Sequence, residues 1–188
     1  MIARLLFCFL FSFAMPAMAQ LPKLEVTVKR VDMGEHHVFE VNASGAVNAS
    51  PAAVWKILTD YDRMAEFVPD MKATKVLSRT GNKALVEQHG VARFLFFTRS
   101  IHLVVNVLEE PISSIDIGLV TGDMKIYSCR WELVPVPETG GTRILYTGKL
   151  APKFYVPGML GENIIRSDIE RMLKAVLERL DRPADQAG

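Results

Sequence analysis

Residues 157–181 read PGMLGENIIRSDIERMLKAVLERLD, and the spacing of the apolar residues within them decides the fold. Ile165, Ile169, Met172, Val176 and Leu180 step by four, three, four and four, which lines one face of a helix ~6 turns long. Arg166, Asp168, Glu170, Arg171, Lys174 and Glu178 fall mostly on the other sides. Their mixed charge signs disfavour a membrane-surface helix, so the stripe is expected to pack on a sheet.

The chain ahead of it has a period of two. Apolar and polar residues alternate through 71–78, 83–92, 96–108, 113–120, 125–136 and 142–150, six candidate strands. Turn-forming groups such as Thr80-Gly81-Asn82 and Glu138-Thr139-Gly140-Gly141 separate them, and such short connections require antiparallel pairing. Residues 24–31 and 37–48 read as an N-terminal hairpin. Ser50-Pro51 supplies an N-cap and a first-turn proline for a short helix, and 63–68 forms a second one, ended by Pro69. One helix cannot cover both faces of a six- or seven-stranded sheet, so the sheet must curl around it. The expected class is α+β: a curved antiparallel sheet around a long C-terminal helix, with two short helices after the first strands. Such a grip encloses an apolar space, the usual form of a small-molecule site.

The composition fits a single globular domain: 188 residues, 49% hydrophobic and 23% charged. A net charge of +1 argues against a nucleic-acid binder. The first nineteen residues have the pattern of a signal peptide. Arg4 is the basic end, LLFCFLFSFA (5–14) the apolar core, and Ala17-Met18-Ala19 a small-residue cleavage pattern. The apolar run is about half the ~20 residues a spanning helix needs. Residues 20–188 are then one domain, exported, and periplasmic if the source is bacterial. Cleavage removes Cys8 and leaves Cys129 alone, so the mature domain is held without a disulfide. No later stretch reaches spanning length, and a soluble monomer is expected.

Ser50-Pro51-Ala52-Ala53-Val54-Trp55-Lys56-Ile57-Leu58-Thr59-Asp60-Tyr61, followed by Phe67-Val68-Pro69, resembles the opening of START-like proteins. These form the SRPBCC superfamily, and the polyketide cyclase/dehydrase and coenzyme-Q-binding group is the nearest match within it. The resemblance spans roughly 40–180. It implies a helix-grip fold with a deep hydrophobic cavity between sheet and C-terminal helix. It leaves activity open, because the superfamily hosts carriers, receptors and cyclases alike.

Residue chemistry narrows the alternatives. His36, His37 and Glu40 invite a metal reading, but adjacent strand residues point to opposite faces and cannot share an ion without distortion. No other histidine or cysteine cluster is visible along the chain, so neither metal nor cofactor is expected. No nucleophile elbow or phosphate loop is present, and Cys129 alternates with Tyr127 and Trp131 on the apolar face, a core position. Arg99 shares the parity of Ile101 and Leu103, where it would anchor a ligand head group or snorkel at the sheet margin. Ile117, Tyr127, Trp131, Tyr146, Ile165, Ile169 and Met172 are the further candidate cavity residues. Phe154 and Met159, in the apolar stretch KLAPKFYVPGMLG (149–161), would cap the cavity or touch a membrane during transfer. The parity of 83–92 is ambiguous. Glu87 and His89 share one face there and, with Arg99, are the acid–base candidates if the protein is an enzyme.

These readings favour a carrier or sensor of a hydrophobic small molecule, of lipid, isoprenoid or quinone type, over catalysis. The alternatives are a cyclase or dehydratase acting on a hydrophobic substrate, and an envelope protein-interaction module.

Overall fold

The computed structural model describes residues 24–34, 36–94, 97–156 and 158–181, with no side-chain description for His36, Phe94, Phe97, Gly158 and Met159. The expected signal peptide, 1–19, lies outside this set, as does the Met159 side chain. Among the described residues no helix is long and apolar enough to cross a membrane.

Eight strands form one antiparallel sheet. They are β1 (Glu25–Met33), β2 (His36–Val47), β3 (Met71–Thr80), β4 (Lys83–Phe94), β5 (Phe97–Glu110), β6 (Ser114–Gly122), β7 (Met124–Val136) and β8 (Gly141–Pro152). Their spatial order is β1-β2-β8-β7-β6-β5-β4-β3. The sheet exceeds the six or seven strands expected because the N-terminal hairpin joins the meander, β2 pairing with β8 from Phe39↔Leu150 to Val47↔Thr142. Between β2 and β3 lie α1 (Pro51–Leu58) and a 3₁₀ helix, Tyr61–Glu66. The Ser50 hydroxyl accepts a hydrogen bond from Ala53 N–H at 3.3 Å, so the expected N-cap is in place. The second short helix starts two residues earlier than 63–68, immediately after Asp60.

The long helix α2 (Gly158–Asp181) closes the fold. Ile169, Leu173 and Val176 are its buried residues, and the helix packs along β1 and β2 and touches α1. Its position is therefore off-centre. One side of its apolar stripe meets the sheet, and the other faces the inner surface of β4, β5 and β7 across a gap. Val41, Val86, Leu103, Val105, Val107, Ile115, Cys129, Trp131, Ile144 and Tyr146 form the buried inner face. Beyond Gly118↔Ser128 β6 and β7 part, and the end of β6 stays against β5, where Gly122 pairs with Leu103. At Gly122, φ is +133°, and a Cβ would stand 2.2 Å from the His102 carbonyl oxygen, so only glycine fits.

Candidate functional site

The gap beside α2 is an apolar cleft of two lobes that share Ala92, Met124, Asp168 and Ile169. The larger, of about 240 Å³, lies between Ile101, Leu103 and Tyr127 on the sheet and Ile169 and Met172 on the helix; Val68, Pro69 and Met71 close its side. The smaller, of about 140 Å³, runs under the first turns of α2 between Leu150, Phe154, Val156, Ile164 and Ile165. Together they reach the lower end of the ~300–1,000 Å³ usual for small-molecule sites. The outer face of the sheet bears an open groove of about 550 Å³ over Ser78, Leu85, Asn106, Leu108 and Gly118, turned away from the helix.

Charged side chains gather at the rim of the larger lobe. Asp70, in the loop before β3, binds Arg93 of β4 with one carboxylate oxygen and Arg171 of α2 with the other, at 2.8 Å for the latter. Arg171 also donates to Asp168 at 2.7 Å. The loop can approach this closely because β4 carries glycine there. A Cβ on Gly90 would lie 3.0 Å from the Asp70 carbonyl oxygen, which accepts from Val91 N–H. Asp70 itself adopts φ +64°, a conformation short polar residues tolerate better than others. Burial raises the pKa of Asp168 above the ordinary aspartate value, and the Arg171 guanidinium offsets part of that shift. The cleft is thus apolar inside and held at its rim by an alternating cation–anion chain.

The expected site residues separate into three groups. Ile101, Leu103, Tyr127, Ile169 and Met172 meet in the larger lobe, and Phe154 and Ile165 in the smaller. Trp131 and Tyr146 face inward but are packed into the core, edge to face at 4.9 Å, and Ile117 packs beside them without reaching the cleft. Arg99 stands exposed at the sheet margin. Its guanidinium lies over the Phe154 ring, 4.8 Å from the centroid, so it braces the closing segment instead of entering the lobes.

Glu87 and His89 do not serve the cleft. Ala84 and Val86 are buried on the inner face, which turns Leu85, Glu87 and His89 outward. His89 edges the cleft where β4 passes, but its ring stacks on His102 of β5 on the outer face, and Glu87 accepts from His102 at 2.9 Å. The fold therefore builds a histidine cluster that the linear sequence did not reveal, and the acid–base roles considered for Glu87 and His89 lose their geometric basis.

The polar groups nearest the cleft floor are Gln88, Tyr127 and the Tyr127–Cys129–Tyr146 cluster. Both tyrosine hydroxyls lie within hydrogen-bonding reach of the Cys129 sulfur. Burial pushes the Cys129 thiol up to about 11, and the two phenols are also raised well above their ordinary value. All three stay protonated at neutral pH, so Cys129 is a core thiol and no nucleophile. Gly148, opposite Cys129 in the β7–β8 register, makes room for Tyr146: a Cβ there would stand 3.1 Å from the phenolic oxygen. Sequence reasoning missed Met124, Asp70, Asp168 and Arg171. Met124 sits at a bulged register, and the charges converge from segments far apart in the chain.

No curated protein matches the chain in sequence at a significant level. Solved structures match it in fold. The Zhui aromatase/cyclase from Streptomyces sp. R1128 superposes with a TM-score of 0.66 at 17% identity, over 79% of this chain and 98% of that one. A STAR-related lipid transfer protein from Xanthomonas axonopodis gives 0.66 at 16%, over 83% and 99%. A START superfamily protein from Mycobacterium smegmatis gives 0.66 at 20%, over 76% and 97%. The family profile described as polyketide cyclase / dehydrase and lipid transport matches residues 47–177, from the end of β2 almost to the end of α2. That span contains the short helices, the meander and every wall of the cleft, and on it the chain belongs to the polyketide cyclase/dehydrase and lipid transport family.

Proposed function

We propose that the protein binds and carries a hydrophobic small molecule, of lipid, isoprenoid or quinone type, in the two-lobed cleft beside α2. The single observation that carries this reading is the cleft itself. Its floor is aliphatic and aromatic, its volume suits an acyl or prenyl segment, and apart from Asp168 on the wall its charges stand at the rim. The same family and fold also support a polyketide cyclase-type function. The N-terminal segment supports export, with the carrier working in the cell envelope as a monomer. Tyr155, 81% exposed, and Leu160 stand beside the smaller lobe, and they supply an apolar edge for brief contact with a membrane during loading.

Native mass spectrometry and solvent extraction of protein purified without detergent test the reading. A copurified lipophilic ligand, or saturable binding of a lipophilic dye that Ile169→Asp abolishes, is the expected result. An empty protein that binds no dye overturns it.

One observation favours a cyclase or dehydratase as a second reading. Asp168 lies on the cleft wall with its pKa raised by burial, which is how a general acid–base carboxyl is prepared. Turnover of an aromatic polyketide-like substrate that Asp168→Asn eliminates, with binding retained, would establish that reading over simple carriage.

A further inference from the structure

Glu87, His89 and His102 stand on the outer face of β4 and β5, behind the cleft wall. His89 and His102 are direct partners in the antiparallel register, and cross-strand partners carry their Cβ atoms only ~5 Å apart. Their rings stack at 4.5 Å with 18° between planes. Glu87, two residues before His89, shares its face. One Glu87 carboxylate oxygen lies 2.9 Å from His102 Nε2 and 3.6 Å from His89 Nε2. All three donor atoms fall within 4.8 Å of one another.

We propose that these three side chains form a binding site for a first-row divalent cation of the Zn²⁺ type. Tetrahedral zinc with bonds of ~2.0–2.1 Å to nitrogen and oxygen sets its donors roughly 3.3 Å apart. The two separations from Glu87, 2.9 and 3.6 Å, straddle that value, and the two rings turn out of their stack to aim both Nε2 atoms at one ion while the strands stay in place. The donor set is chemically suited. Imidazole selects Zn²⁺, Ni²⁺ and Cu²⁺ over the hard cations, and one carboxylate offsets half the ion's charge. Lys75, opposite Glu87 in β3, is a cation beside the cluster. It is exposed and free to swing into solvent when the ion enters. Three protein donors leave the fourth position open to water or to a donor from another molecule, unlike a closed structural site. Gln88, Ile101 and Leu103, on the same two strands, point the other way into the cleft, so the ion and the ligand would occupy opposite sides of one wall.

Isothermal titration of tag-free protein with ZnCl₂, at pH 7.5 and again at pH 5.5, tests the site. One equivalent should bind, more weakly at the acidic pH, because protons compete for the two imidazoles. His89→Ala and His102→Ala should each weaken binding by at least about 10–100-fold, and Glu87→Gln should weaken it less. His37→Ala, a histidine outside the cluster, should change nothing. These side chains are exposed or half-buried, so melting curves in chelator should match across the variants and separate lost binding from lost folding. In ¹H–¹⁵N spectra of the imidazoles, Zn²⁺ should shift the His89 and His102 Nε2 signals together. Absence of saturable binding in the sub-millimolar range, or binding unchanged in the double variant His89→Ala/His102→Ala, would overturn the proposal.

Discussion

Asp70 accepts a hydrogen bond from Arg171 at 2.8 Å, joining the loop before β3 to the middle of α2 across 101 positions of sequence. Because Asp70 also holds Arg93, one carboxylate fastens helix, loop and β4 hairpin around the mouth of the larger lobe. Both arginines are about half-exposed, so the latch contributes little to global stability, less than ~1 kcal/mol per pair. Its effect falls on opening. Asp70→Asn keeps the shape and tolerates the positive φ, but removes the charge. Stopped-flow dye release should be faster in Asp70→Asn with almost unchanged melting temperature. Raising salt to ~1 M, where the screening length falls to ~3 Å, should accelerate the wild type towards the variant and leave the variant unaffected. Equal release rates at low salt would show that the latch does not gate the cleft.

Asp168 sets a pH dependence whose sign follows from its environment. Burial raises its folded-state pKa above the unfolded value and outweighs the attraction of Arg171. A carboxyl raised in this way costs stability while ionised, above its folded pKa, and the cost is relieved as pH falls through that pKa. Asp168→Asn should therefore be neutral or slightly stabilising at pH 7. The difference in melting temperature should then shift towards the wild type as pH drops from neutral into the carboxylate range. A variant that is markedly less stable at pH 7 would mean that the Arg171 pair dominates instead.

The architecture was legible because it rests on periodicity. The four-three-four-four stripe of α2 and the alternation from 71 to 151 each report which face is apolar, and the faces can be satisfied only by a sheet wrapped on a helix. Site residues were legible only as far as parity reaches. Parity places Trp131 and Tyr146 on the inner face, as found, but says nothing of how far along β7 and β8 the helix stops covering them. In β4, Ala84, Leu85 and Val86 are apolar on both parities, so alternation could not tell which way Glu87 and His89 point. Their meeting with His102 depends on the register of the β4–β5 hairpin, and the Asp70–Arg171 contact depends on tertiary packing alone.

Tyr61 belongs to the stretch that first suggested the family, and the structure shows what its hydroxyl does. It donates to the buried Glu109 carboxylate at 2.8 Å, and Arg79 binds the same group at 2.9 and 3.0 Å. The phenol pKa is raised, chiefly by burial and then by Glu109. Glu109→Ala strands the Tyr61 hydroxyl and part of the Arg79 charge, and should cost about 1–3 kcal/mol, visible as a lower denaturant midpoint. Tyr61→Phe should cost less, because Arg79 still satisfies the carboxylate. Equal costs for the two changes would contradict this ordering.

Phe154 tests whether the segment after β8 is a gate. Its ring is half-buried, lines the smaller lobe and carries the Arg99 guanidinium. Phe154→Ser should speed dye exchange several-fold while costing only part of the ~3–5 kcal/mol typical of a fully buried Phe truncation. A large fall in melting temperature with unchanged exchange would identify the segment as core.

Gly161 is a place where helix propensity and packing disagree, and the structure says which wins. In an exposed helix, Gly→Ala stabilises by up to ~1 kcal/mol, because alanine restricts the unfolded chain and keeps the helical backbone. At Gly161 an added Cβ would lie 2.8 Å from the tip of the Phe39 ring and 2.8 Å from a Val156 methyl. Phe39 is 2% exposed, so its ring has little room to withdraw. The glycine, which composition alone would read as loosening the first turn of α2, instead lets that turn press onto β2 and the closing segment. Gly161→Ala should therefore destabilise by about 1–3 kcal/mol, the usual cost of overpacking, despite its better propensity. Phe39→Leu, by shortening the opposing side chain, should recover part of that loss in the double variant, whereas two independent sites would give additive costs. Additivity in thermal or urea unfolding of the two single variants and the double would refute the contact as the cause.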